Sequence, residues 1–513
     1  MVAQFATKGN HTQPISVERQ LPNVHASLNA LVGWIYQSAN DGTAAHEVER
    51  GLFDRLLALG KTLFDAFLKL VGPGDFGPSV SLDDGHLVHR SQEEHTRRLV
   101  TVFGECFVSR WVYAPYDKAK VEFAPTDQRL QLPASDISYL LQEWDQLLGV
   151  EQAFGQVRET IQTILRLTQS VATLERTNQQ MAEAAPVFRE SQGPVDMTKE
   201  EALLVVTEDN KGIPMVRPVE ETPAGAHRTK GEKANKKQMA CIGCVYSVAR
   251  HPRTPEQLVA TLFRDPDRSQ EQPPQAQNKR YWAELSRELD GEEVRGQDLV
   301  FQHLQAEVKM RRQSEQWLVH LCDGQASLET DRQEYLPSDA YTLDILDLMH
   351  VLPRVWEAAH VFHAEASDAA SDFVRRHVTR ILRGEVGNVI AAWRRTATIQ
   401  GLTGAKNKNL RTLCAFLEKN RHRMRYDEYL RLGCPIATGV IEGACRHVIK
   451  DRMERAGMRW KIPGAQAMLN LRTIRTNGDW TAFQDFRIAL ENEWLYPNTK
   501  AFHDQEWQAC QAA

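Results

Sequence analysis

The stretch EALLVVTEDNKGIPMV, residues 201–216, decides how the rest of the chain is read. Glu201 to Thr207 ends as a short, β-branched apolar run with the composition of a strand buried on both faces. It stops at Glu208-Asp209, and Gly212 lets the chain turn into a second strand, Ile213 to Val219. Downstream, Gln238 to Ala249 (QMACIGCVYSVA) reads as a third strand, and Thr254-Pro255-Glu256 opens a helix through Phe263. After a polar Gln/Pro-rich loop, Asp265 to Lys279, a helix near Gln297 to Arg312 precedes a fourth strand, Trp317 to Cys322 (WLVHLC). That strand runs into Asp323-Gly324, and the fifth, Leu343 to Leu346, is followed by Asp347. From there to Arg475 nearly everything has helical spacing.

Three strands, a helix, another strand-helix-strand and then helices is the order of an RNase H-like α/β core, with the helices ahead of Glu442 as an insertion. Working outward, residues 1–24 are polar and unpatterned. Leu52, Leu56, Leu59, Leu63 and Phe67 mark a helical region between Ser27 and Leu70, which Gly72, Pro73, Gly74, Gly77 and Pro78 end. Leu99 to Tyr113 (LVTVFGECFVSRWVY) reads as a hairpin around Gly104-Glu105. Asp136 to Ala182 is helical, and its last part divides around Leu167-Thr168 into two amphipathic pieces, either a helix-turn-helix or an ordinary helical pair. Gln192 to Lys199 is a linker. The expectation is an α+β multidomain chain: an N-terminal helical region (1–95), a β-hairpin module (96–132), a helix-turn-helix DNA-binding region (133–190), the RNase H-like catalytic core (200–365), an α-helical insertion (366–435), and the C-terminal part of the core with a tail (436–513).

The chain has 513 residues, a formal charge of −5, 42% hydrophobic and 25% charged residues. That is soluble composition, and it excludes a membrane protein, a collagen and a disordered chain. The N-terminus MVAQFATKGNHTQ has no basic region or apolar core of a secretion signal, so a cytoplasmic, nucleoid-associated protein is expected. Eight dispersed cysteines read as reduced thiols, and Cys241 and Cys244 lack the second pair that a zinc site needs. Charge is segregated: Arg375 to Arg475 holds 22 Lys and Arg against 7 Asp and Glu. Such a lobe is either a solvated helical face or a polyanion-binding surface.

Phosphoryl transfer on DNA needs divalent ions caged by carboxylates from several elements. Asp209 and Asp323 stand at strand ends, on strands that this order makes neighbours. Each has a plain alternative, because Asp-Asn-Lys-Gly and Asp-Gly are common turn sequences. Asp347 either caps a helix or joins the site with His350, one turn on; His360 and His363 read as surface or core-edge residues. Glu442 lies in TGVIEGACRHVIKDRMERAGMRW, where Thr438 caps a helix and Glu442, Arg446 and Lys450 recur every four residues. The face they make is a salt-bridge ladder, or a carboxylate with phosphate-binding cations beside it. Arg452 follows them, and Lys236 and Lys237 end a basic run (HRTKGEKANKK) that either tracks a phosphate backbone or is a charged loop.

Together the blocks TVFGE, EDNKGIPM, HLCDGQASL, LDILDLMHVLPRVW, GVIEGACRHVIKDRMERAGMRW and AMLNLRTIRTNGDW resemble bacterial insertion-sequence transposases of the ISKra type, over roughly residues 95 to 485. The resemblance implies a DDE transposase, with Asp209 as the first acid, Asp323 as the second and Glu442 as the last. It implies Mg²⁺ (or Mn²⁺) on those three, with Asp347 and His350 as a C/D-x-x-H motif and Asp347 as the alternative second acid. Arg446, Lys450, Arg452, Lys236 and Lys237 are then DNA contacts, the partner is double-stranded DNA, and a homo-oligomer holds two transposon ends. Two departures stand out: Asn210 replaces the usual Gly after the first acid, and the interval APYDKAKVEFA lacks the cysteines of a zinc ribbon. The rival readings are a catalytically inactive DNA-binding protein derived from a transposase, and an RNase H-like nuclease.

Overall fold

The computed structural model describes residues 22–216, 237–505 and 507. They fall into two compact units, one of residues up to Thr177 together with those from Gln484, the other of Asn178 to Phe483.

In the first unit, α1 (Pro22–Asn40) and α2 (Ala45–Val71) precede β1 (Ser79–Ser81), β2 (Leu87–Arg90), the hairpin of β3 (His95–Thr101) and β4 (Gly104–Arg110), and β5 (Tyr113–Ala114). β1, β2 and β5 form a small antiparallel sheet. The hairpin turns at Val102-Phe103, one step before the expected Gly104-Glu105, because Thr101 pairs with Gly104. Gly104 takes φ 126°, which a side chain would resist. α3 (Pro125–Leu130) is tied to the hairpin by buried Asp127, which accepts bonds from both Arg97 and Arg110. α4 (Tyr139–Gly149), α5 (Phe154–Leu165) and α6 (Val171–Glu183) follow, and Arg166, in the left-handed region at φ 59°, ends α5.

The second unit is a mixed α/β body. After α7 (Ala185–Ser191) come β6 (Leu203–Pro214), β7 (Lys237–Val248), α8 (Pro255–Leu262), β8 (Gln277–Leu285), and a small hairpin of β9 (Arg287–Leu289) and β10 (Glu292–Val294). α9 (Gly296–Arg311), β11 (Trp317–Cys322), α10 (Ala326–Tyr335) and β12 (Thr342–Leu346) complete a five-stranded sheet of order β12-β11-β6-β7-β8. β6, β7 and β8 are antiparallel neighbours, whereas β11 lies parallel to both β6 and β12.

Two expectations are corrected here. β6 does not turn at Gly212: it pairs with β7 without a break from Leu203↔Val248 to Pro214↔Lys237. A continuous ladder satisfies every backbone group along the strand, and that outweighs the turn preference of Asp-Asn-Lys-Gly. Asp209 is therefore inside a strand, and the expected second strand at 213–219 is partly the end of β6, with 217–219 outside the described residues. The expected third strand is β7, and the sheet has a further strand that the sequence pattern did not mark, β8, which begins at Gln277 inside the polar stretch and carries Tyr281-Trp282-Ala283.

The rest of the unit is helical: α11 (Leu348–Phe362), α12 (Asp368–Leu382), α13 (Val386–Ile399), α14 (Gly404–Asn420), α15 (Tyr426–Leu432), α16 (Gly439–Ala444), a π-helical turn at Cys445–Lys450, α17 (Asp451–Met453) and α18 (Ile462–Asn477). α19 (Trp480–Leu495) and α20 (Thr499–His503) end the described chain. Among the described residues no helix is long and apolar enough to cross a membrane.

One face of the sheet packs Leu204, Val206 and Leu318 against Val300, Phe301, Leu304 and Leu328 of α9 and α10. Buried within the sheet is an ionic chain. His320 Nε2 lies 2.9 Å from both Glu208 oxygens, its Nδ1 is 3.6 Å from Asp344, and Arg332 reaches Asp344 at 2.9 Å. Burial alone would lower the His320 pKa, but the Glu208 and Asp344 carboxylates raise it above its usual value. A raised folded pKa makes this contribution full below about pH 6.5, and it is lost as pH rises through the folded value. Glu208→Ala strands a buried imidazolium, so urea denaturation at pH 6 should show a loss of about 3–5 kcal/mol. The loss should shrink towards higher pH. A pH-independent change below 1 kcal/mol would show that the chain is not a charged pair.

Candidate functional site

Side chains alternate along a strand with a period of two, so register shows which acids share a face. Thr207, Leu321 and Ile345 sit side by side on β6, β11 and β12. Two residues beyond each stand Asp209, still inside β6, and Asp323 and Asp347, one residue past the ends of β11 and β12, so all three lie at the same end of neighbouring strands.

Asp209 lies opposite Ile242 of β7 and is half-buried. Its Oδ1 accepts the Asn210 backbone N–H at 2.7 Å, and its Oδ2 accepts the Cys445 thiol at 3.1 Å. Burial, and then the Asp209 charge, push the Cys445 pKa far up, so the thiol keeps its proton and donates. Asp323, also half-buried, folds back to accept the Gln325 backbone N–H at 2.7 Å, an Asx turn that Gly324 permits with φ 87°.

Asp347 is fully buried. It caps α11, accepting the Met349 N–H at 2.7 Å through Oδ1. Its Oδ2 accepts both the backbone N–H of Thr438, at 3.3 Å, and the Thr438 hydroxyl. The Leu348 N–H donates to the Ile436 carbonyl at 2.9 Å. The helices from α11 to α15 thus leave and return at one point. Thr438 heads α16 without using its hydroxyl on that helix, since the hydroxyl is committed to Asp347.

That closure delivers Glu442. Ligand atoms of Asp347, His350 and Glu442 all lie within 4.8 Å of one another, with the His350 and Glu442 side chains exposed. Two carboxylates and an imidazole are a fitting donor set for a divalent ion. Asp209 and Asp323 are not members of this cluster, although Asp209 touches the same helical segment through Cys445.

The cations are placed as follows. Glu442, Arg446 and Lys450 are all exposed, and the helix carrying them passes through a π turn at Cys445–Lys450. Arg446 lies 3.6 Å from Asp451. Arg452 is buried, its guanidinium over the Trp460 ring. Lys237 pairs with Glu454, and Lys236 lies outside the described residues. Sequence reasoning missed Cys445 and the redirected Thr438: a lone cysteine and a capping threonine carry no local mark of a distant carboxylate partner.

No family model matches the chain, and no curated protein does. Among solved structures, a chain of the "Drosophila P element transposase strand transfer complex" aligns over 68% of this chain and 80% of its own length. The identity is 12% and the TM-score 0.23. A likeness that slight leaves function to the residues themselves.

Thr438→Val removes the hydroxyl from a buried carboxylate, and it should lower stability in urea titration by about 1–3 kcal/mol. Thr438→Ser, which keeps the bond, should lose less than half of that. Equal losses would mean that the methyl packing, not the hydrogen bond, matters.

Proposed function

We propose that the chain is a DNA transposase of the DDE class, with an RNase H-like core built on the five-stranded sheet and a helical insertion at residues 366–435. The observation that carries this reading is the return of the chain from the insertion: Glu442 arrives beside Asp347 and His350, and Cys445, three residues on, touches Asp209. The strand order supports it, because an antiparallel β8-β7-β6 set extended in parallel by β11 and β12 makes the strands of Asp209 and Asp323 neighbours.

Asp209, Asp323 and Glu442 are the proposed ion-holding carboxylates, with Asp347 and His350, whose ligand atoms lie near those of Glu442, as alternative or supporting residues. Asp347 is buried and both its oxygens already accept bonds from Met349 and Thr438, which suits a structural cap better than an ion ligand. An all-oxygen set fits Mg²⁺, whereas a site that also draws on the His350 nitrogen fits Mn²⁺ better. A divalent ion bound there supplies Lewis acidity to the attacked phosphate and lowers the pKa of the attacking water. The proposed reaction is hydrolysis at the element's ends followed by attack of the freed 3′-OH on target DNA. Exposed Arg446 and Lys450 are the proposed phosphate contacts nearest Glu442; double-stranded DNA is the partner, and a homo-oligomer holds the two ends.

Asp209→Asn, Asp323→Asn and Glu442→Gln should each cut cleavage and strand transfer at least 100-fold, with DNA affinity within about twofold of wild type. The assay uses the DNA that flanks the gene on both sides as substrate. If Asp323→Asn keeps wild-type rates while Asp347→Asn does not, Asp347 is the second acid. If no acid variant loses activity, the catalytic reading fails, and cleavage without joining would indicate a nuclease.

Arg446→Ala and Lys450→Ala should each weaken DNA binding and reduce the slope of log K against log salt by about 0.9. An unchanged slope would return both residues to a solvated face.

A further inference from the structure

The α1–α2 pair contributes 46 residues, of which only Ser38 and Leu68 are buried. Large apolar side chains nevertheless line both helices in register. On α2, Leu56, Leu63 and Leu70 recur every seven residues, with Phe53 and Phe67 on the same side; on α1, Leu28, Val32 and Ile35 follow a four-three spacing. All eight are between 37% and 48% exposed. The charged residues Arg50, Asp54, Lys61 and Asp65 keep to another side of α2, where Lys61 pairs with Asp65 at 2.6 Å, while exposed Glu49, one repeat before Leu56, ends the apolar stripe. α1 contains no Asp, Glu, Lys or Arg at all.

An amphipathic helix gains most of its stability by burying its apolar stripe; α2 does so with Phe64 and Leu68 on the hairpin core, and the stripe of Phe53, Leu56, Leu63, Phe67 and Leu70 is a second one that faces outward. We infer that the α1–α2 pair is a self-association surface whose occupant is the same pair from a second copy of this chain. Three features favour that occupant. A seven-residue leucine repeat is self-complementary across a two-fold axis. An uncharged α1 brings no like charges together when it meets itself, and interface cores are depleted of charge. The area also suffices: eight side chains exposing somewhat under half their surface present roughly 600 Å² of apolar area, against ~800 Å² in total per partner of a standard interface. Residues 1–21 carry no comparable apolar repeat with which to cover it.

The inference does not rest on the proposed chemistry, so the two fail separately. Sedimentation equilibrium of the full chain at micromolar concentration should give twice the monomer mass. The double variant Leu56→Glu/Leu63→Glu should sediment as a monomer, or at least weaken the dimer 100-fold, with its main thermal transition unchanged. Asp54→Ala on the charged side should leave the dimer intact. Should the double variant fail to fold, Leu63→Cys provides the second reading: under a mild oxidant it should form a chain-to-chain disulfide that wild type lacks. A monomeric wild type, a double variant that dimerises normally, or no cross-link at position 63 would overturn the inference.

Discussion

The buried bond between Asp347 and Thr438 is the constraint on which the second unit's arrangement depends. A carboxylate taken fully out of water has to find donors, and Asp347 finds them at the start of α11 and at the entry to α16. Satisfying it brings together two points separated by the helices α11 to α15. Glu442 then needs only one turn of α16 to reach His350. The proposed chemistry therefore inherits its geometry from a desolvation requirement.

The sheet meets a similar demand behind the acids. Glu208 and Asp209 are neighbours with opposite fates: one is buried against His320, the other is half-buried against Cys445. Alternation along β6 separates a structural carboxylate from the one proposed to hold an ion. On the next strand, Cys322 accepts a contact from one terminal nitrogen of buried Arg423 at 3.2 Å, and the other donates to Asn420 and Glu329. Arg423 thus couples the helical insertion to the end of β11, immediately before Asp323.

Much of this was legible in the sequence. WLVHLC and LDIL are strands because β-branched and apolar runs of that length have few alternatives, and both end where an acid follows. The Asp-x-x-His spacing correctly brought Asp347 and His350 to one helical turn. What local patterns misjudged was settled by partners far along the chain. DNKG reads as a turn until β7 is there to pair with it, Thr438 reads as a cap until Asp347 claims its hydroxyl, and no periodicity marks the π turn at 445–450. Arg452 looked like one more surface cation, and only tertiary packing set it over Trp460.

The central claim is that Glu442 and the strand aspartates together form a divalent-ion site. Anomalous scattering from crystals of the full chain soaked in Mn²⁺ tests it most directly. The account predicts a peak coordinated by Glu442 together with Asp209 and Asp323. A peak absent from all of these carboxylates at saturating Mn²⁺, or one held only by residues elsewhere, would contradict it.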